Sequence, residues 1–184
     1  MKRLFLISFI IAASVVSAQQ SFVKGYVVQL NGDTLHGEIK INPKKEIELY
    51  QKVAFKEASG LQKTFKPDKL KAYGFNNEAF IAAKIDDEPL FYKVLSSGTL
   101  YLYEVKHEVL QMNELRIKID FFMKKKGSED FVKIKQGRFK KQLVEQMADA
   151  ADIVKEIETN KQLEIENLEQ VFDQYNTWAK VQKS

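Results

Sequence analysis

The feature that most limits how this chain can fold is a change of hydrophobic period near Gly137. Before it, short segments rich in Val, Ile, Phe and Tyr alternate with period two between turn residues, the pattern of a meandering antiparallel sheet. After it the period becomes helical. Phe139, Leu143, Val144 and Met147 share one helical face, Ile153, Val154 and Ile157 a second, and Leu168, Val171, Phe172, Tyr175 and Trp178 a third. The expectation is an α+β fold: a curved antiparallel β-sheet or partly open barrel over residues ~22–135, followed by three C-terminal α-helices packed on it. The last helix carries a continuous apolar stripe that must cover something. The sheet is its nearest partner, and each large side chain buried there is worth roughly 1.5–3 kcal/mol.

Strands are expected near 22–30, 34–41, 46–56, 61–66, 79–84, 89–95, 99–106, 115–124 and 130–135. Turns are expected at Asn31-Gly32, Ala58-Ser59-Gly60, Asp86-Asp87-Glu88, Ser96-Ser97-Gly98 and Lys126-Gly127-Ser128. "KPDKLKAYGF" is less regular and suggests a brief turn or helical step before Tyr73. Asn31-Gly32 between alternating runs predicts a two-residue type I′ hairpin. Counting outward pairs Val28 with Leu35, Val27 with His36 and Tyr26 with Gly37, so that the Tyr26 ring lies over Gly37. A three-residue Asn31-Gly32-Asp33 loop pairing Val28 with His36 is the alternative, and it segregates polarity less well.

The first residues have the three parts of a secretory signal: Lys2 and Arg3, an apolar run from Leu4 to Val16, and Val16-Ser17-Ala18 before Gln19. Residues 1–18 are therefore expected to be a cleaved signal peptide, and 19–184 one domain, β-rich over 19–136 and helical over 137–184. An uncleaved anchor is the competing reading, but the apolar run is short for a bilayer that needs about 20 residues. No transmembrane segment is expected after cleavage. Without Lys2 and Arg3 the 29 basic residues become 27 against 25 acidic ones, a net charge of only +2, which is no nucleic-acid footprint. The chain has no cysteine, which excludes disulfides, thiol catalysis and cysteine metal sites.

Few residues carry chemistry. His36 and His107 are the only histidines, and the hairpin register puts His36 on a polar face beside Glu38 and Lys40. "HEVLQ" begins like a zinc-protease motif but has Gln111 where a second histidine must stand. Asp86-Asp87-Glu88 lacks the spacing of a calcium loop and reads as a hairpin tip. No P-loop, nucleophile elbow or dinucleotide fingerprint occurs, so no catalytic residue, metal or cofactor is expected. The one candidate binding surface is Tyr101 and Tyr103, on one face of "TLYLYEV", with Lys124, Lys125 and Lys126 of "FFMKKKGS", a combination suited to anionic headgroups or a protein surface. The plainer reading has the tyrosines packed beneath the C-terminal helices. In that reading Ile117, Ile119, Phe121 and Met123 form a core face, and Phe122 meets Phe131.

"GYVVQLNGDTLHGEI", "KPDKLKAYGF", "VLSSGTLYLYEV" and the terminal "VFDQYNTW", in that order, resemble a broad group of uncharacterised exported proteins of Bacteroidota. The group shares a Gly-Asp-Thr hairpin, a P-x-D-[IL]-K-x-[FY] step, a Gly turn before "LY" and an ending with Tyr-Asn. Some of its members carry an outer-membrane barrel after this domain, and none is expected here. The resemblance implies an exported or envelope location and supplies no catalytic residue.

The functional expectation is a non-enzymatic envelope or periplasmic interaction module, periplasmic or outer-membrane-associated rather than fully secreted, using sheet edges and aromatic strands. The alternative is a carrier of an apolar ligand, a lipid or fatty acid, inside the curved sheet. A hydrolase comes third and requires a histidine clustered with carboxylates in a cleft.

Overall fold

A computed structural model of the chain describes residues 21–85 and 87–182. The expected signal peptide and Asp86 lie outside them. Ten strands form one antiparallel open sheet: β1 (Ser21–Gln29), β2 (Thr34–Ile41), β3 (Val53–Glu57), β4 (Gln62–Phe65), β5 (Leu70–Phe75), β6 (Glu78–Ile85), β7 (Glu88–Ser96), β8 (Leu100–Gln111), β9 (Glu114–Lys125) and β10 (Val132–Ile134). Four α-helices accompany them: α1 (Glu48–Gln51) between β2 and β3, then α2 (Phe139–Gln146), α3 (Ala151–Thr159) and α4 (Leu168–Gln182) after the sheet. The sheet followed by three packed helices is the expected architecture.

The spatial order is β10-β9-β8-β7-β6-β5-β1-β2-β3-β4. From β1 the chain meanders outward to β4, returns through a 3-10 turn at Pro67–Lys69, and pairs β5 with the other side of β1. A second meander then runs to β10. The sheet curls strongly. Tyr50 of α1 packs its ring on Phe80 of β6 (5.7 Å) and donates its hydroxyl to Glu104 of β8 at 2.6 Å. In a flat sheet, β3 and β8 would lie roughly 29 Å apart. Tyr50, Phe55, Tyr73, Phe80 and Phe91, each 1% exposed or less, fill the resulting core. A second core joins Leu100, Leu102, Met123 and Ile134 to Leu143, Met147, Ile157, Leu168 and Phe172 of the helices.

Two local expectations are corrected and one strand is added. Residues 46–56 are not one strand: Asn42 accepts from the Lys44 N–H (3.1 Å), Pro43 opens a 3-10 turn, and α1 drops Tyr50 into the core before β3 begins. The helical step expected before Tyr73 is the 3-10 turn at Pro67–Lys69, and an additional strand, β5, follows it, in which Tyr73, Gly74 and Phe75 are consecutively buried; covered on both sides, it shows no alternation. The first hairpin adopts neither of the two expected registers. Val28 pairs with Thr34, Val27 with Leu35 and Tyr26 with His36. Only Gly32 takes positive φ (98°), and the Gln29 N–H bonds the Asp33 carbonyl at 2.8 Å, so the loop is Leu30-Asn31-Gly32. The Asn31 side chain holds it by accepting from the Asp33 N–H (3.0 Å) and donating to the Asp33 carboxylate (2.7 Å). One residue of slip turns β1 over relative to β2. The Tyr26 ring accordingly lies against Gly74, not Gly37.

Candidate functional site

The expected surface is divided by the sheet. Tyr101 pairs with Lys124 and Tyr103 with Phe122, while Leu100 and Leu102 point the other way, into the helix core. The tyrosines therefore lie on the face away from the helices, not beneath them. Their rings stack (6.0 Å, 5°), and Phe131 covers Tyr103 at 5.3 Å with the Lys124 ammonium 4.7 Å above it. Tyr103 is thus buried, which together with the neighbouring Tyr101 pushes its hydroxyl up to about 12. The expected partner of Phe131 was Phe122; Phe122 instead meets Tyr92 edge-on (5.6 Å). Lys125 pairs with Leu100 on the helix side, and the Lys126 N–H bonds the Thr99 carbonyl at 3.0 Å. Of the five residues, Tyr101, Tyr103 and Lys124 share a face, and Lys125 and Lys126 belong elsewhere.

The histidines are separate. His36 is exposed opposite Tyr26 (6.4 Å), on the strand face that also carries Glu38 and Lys40. His107 Nε2 stands 3.2 Å from Asp120, but Asp120 is also held by Lys133 (2.8 Å) and Lys118 (3.2 Å). Partial burial alone would raise the Asp120 carboxyl; the two ammonium groups outweigh it and keep it below the usual carboxylate range. Among the described residues no group of three or more His, Cys, Asp or Glu could hold a metal ion. The arrangement suits a structural ion cluster on a strand surface.

Two of the sequence motifs meet in a clamp. The Asn176 amide of α4 donates to the Leu100 carbonyl (2.8 Å) and Ser96 Oγ (3.1 Å), and its oxygen accepts from the Leu100 N–H (2.9 Å). Ser96 Oγ in turn donates to Asp173 at 2.6 Å. A Cβ on Gly98 would come within 2.5 Å of the Asn176 side chain, so this turn needs glycine for close approach. Next to it, Tyr175 donates to Asp149 (3.1 Å); burial and that carboxylate push the phenol up to about 12. The Gly turn before "LY" and the terminal Tyr-Asn are thus two halves of one fastening.

An open cleft of about 820 Å³ borders Tyr26, His36, Gly74 and the Asn76-Asn77 turn. The side of the curl lined by Tyr50, Tyr73 and Phe80 is packed with their own rings, Tyr73 and Phe80 stacking at 4.6 Å.

The most exposed apolar surface belongs to the outer half of the β8–β9 hairpin. The β7 ladder with β8 reaches only Glu104, and β10 covers β9 only from Phe121 to Met123. Beyond those points, among the described residues, β8 and β9 pair only with each other, out to Met112 and Asn113, both at positive φ (50° and 65°) as a type I′ turn requires. One face of this ribbon carries Leu110, Leu115, Ile117 and Ile119, exposed by 70%, 72%, 63% and 46%, with Met112 at the tip. The other face carries His107, Gln111, Glu114, Arg116 and Lys118. The expected core face of β9 is therefore core only at Phe121 and Met123. Apolar alternation on both sides of "QMNE", with no third strand of matching length, is the sequence signal that could have found the ribbon.

No protein-family model, curated protein or solved structure matches the chain.

Proposed function

We propose that the protein is a non-enzymatic interaction module of the cell envelope that presents the β8–β9 ribbon to a protein partner. The observation that carries this reading is the apolar row Leu110, Leu115, Ile117 and Ile119 held in water on a two-stranded projection. An isolated two-stranded hairpin is marginal in water, and exposed contiguous apolar area is a mark of interaction surfaces. The free backbone edges on both sides of the ribbon add hydrogen-bonding capacity for a partner. The signal-like residues 1–18 support export, to the periplasm or outer-membrane surface. The packed aromatic interior is the reason interaction is placed ahead of carriage of an apolar ligand, and the lysine-bound Asp120 beside His107 is the reason it is placed ahead of hydrolysis.

The test is site-specific photo-crosslinking in the native envelope, with the probe at Ile117 or, as control, at Glu169 on the exposed side of α4. A discrete protein adduct from position 117 alone is expected. Equal or absent labelling at both positions would overturn the reading.

A further inference from the structure

We infer that the partner of the ribbon is a second copy of this chain, docked face to face through Leu110, Leu115, Ile117 and Ile119. The inference rests on the ribbon being an interaction surface and goes further by naming what covers it. Area is the first argument. With Met112, the exposed fractions of these side chains amount to roughly 600 Å² of apolar surface per copy, so two copies would bury about 1,200 Å², the lower limit of stable interfaces. The same ribbon on a second copy supplies an apolar surface of that extent.

Charge is the second argument. Lys106 pairs across the ribbon with Ile119, and Glu108 with Ile117, so the apolar row is bordered on β8 by one cation and one anion two residues apart. A two-fold axis midway between Ile117 and Ile119 stacks each on the other's counterpart. The same axis brings Lys106 of each copy, which Glu46 (2.8 Å) and Glu104 (3.7 Å) of its own chain already hold, over Glu108 of the other, adding a contact that the two-fold repeats. An anionic membrane fits less well, because Glu108 and Glu114 stand on the ribbon among its cations.

Sedimentation velocity of the purified exported chain tests this. A monomer–dimer equilibrium is expected below about 100 μM. The Leu115→Lys/Ile117→Lys variant should weaken it at least about tenfold with an unchanged melting temperature. Leu61→Lys, at an exposed apolar residue on the far side of the sheet, should leave it intact, and Glu108→Lys should weaken it through like-charge contact with Lys106. A monomeric wild-type chain overturns the inference, as does a dimer indifferent to the ribbon variants. The envelope crosslink separates this from the broader reading: a monomer that still crosslinks at Ile117 to a different protein keeps the interaction module and removes self-association. A monomer that instead co-sediments through the ribbon with phosphatidylglycerol vesicles overturns both.

Discussion

The inner and outer halves of the β8–β9 hairpin are built from the same alternation and end in opposite circumstances. In the inner half Leu100, Leu102 and Met123 are each 1% exposed or less under the helices. In the outer half Leu110, Leu115 and Ile117 stand in water. The leucines and isoleucines of the two halves are equally apolar; what differs around them is how far the neighbours β7 and β10 run. Burial is therefore decided by element length and topology, and a strand that outgrows its neighbours converts core pattern into surface.

Four experiments break or sharpen that contrast. The largest effect belongs to the covered half, where Phe172→Ala removes a fully buried ring beneath Leu100 and Leu102 and is expected to cost about 3–5 kcal/mol by urea unfolding. A loss under about 1 kcal/mol would mean that the helices contribute little to the fold. Next, Asn176→Ala strands the Leu100 amide and carbonyl of the clamp, for an expected loss of about 1–3 kcal/mol. Gly98→Ala should not add fully to it, since both disturb one contact.

At the junction between the halves, Asp120 predicts a pH dependence. Its folded carboxyl titrates lower than the unfolded one, so its stabilisation is complete above the ordinary carboxylate range and disappears as pH falls through the lowered folded value. Asp120→Asn should remove that part of the acid sensitivity; identical acid profiles would contradict it. The smallest effect on stability is expected in the outer half. Leu115→Lys should change unfolding free energy by no more than about 0.5 kcal/mol. A large loss there would mean that the ribbon already packs on its own domain.

How much of this was legible in the sequence follows the range of the forces involved. The three helices after Gly137 appear where their apolar stripes predict them, because periodicity reports directly on one covered side. β5 was illegible because both sides are covered and Gly74 interrupts the run. The first hairpin slipped because the choice depends on whether Asn31 or Leu30 opens the loop, a decision made by the Asn31 side-chain bonds to Asp33. In the candidate surface, the shared face of Tyr101 and Tyr103 was readable from alternation. Its closure by Phe131 was not, since that ring arrives from the β9–β10 connection. The ribbon escaped notice for the same reason: its exposure is set by where β7 and β10 stop.

The position of β1 between the two meanders imposes a timetable on folding. Its ladder with β2 closes over a three-residue loop, whereas its ladder with β5 must wait for residues 70–75 to return from the far edge. Closing the longer loop costs more chain entropy and comes later. Pulse-labelled amide exchange should accordingly find the β1–β2 amides protected before those shared by β1 and β5. In the interval, the two meanders are separate half-sheets, and β1 is the seam along which they are joined.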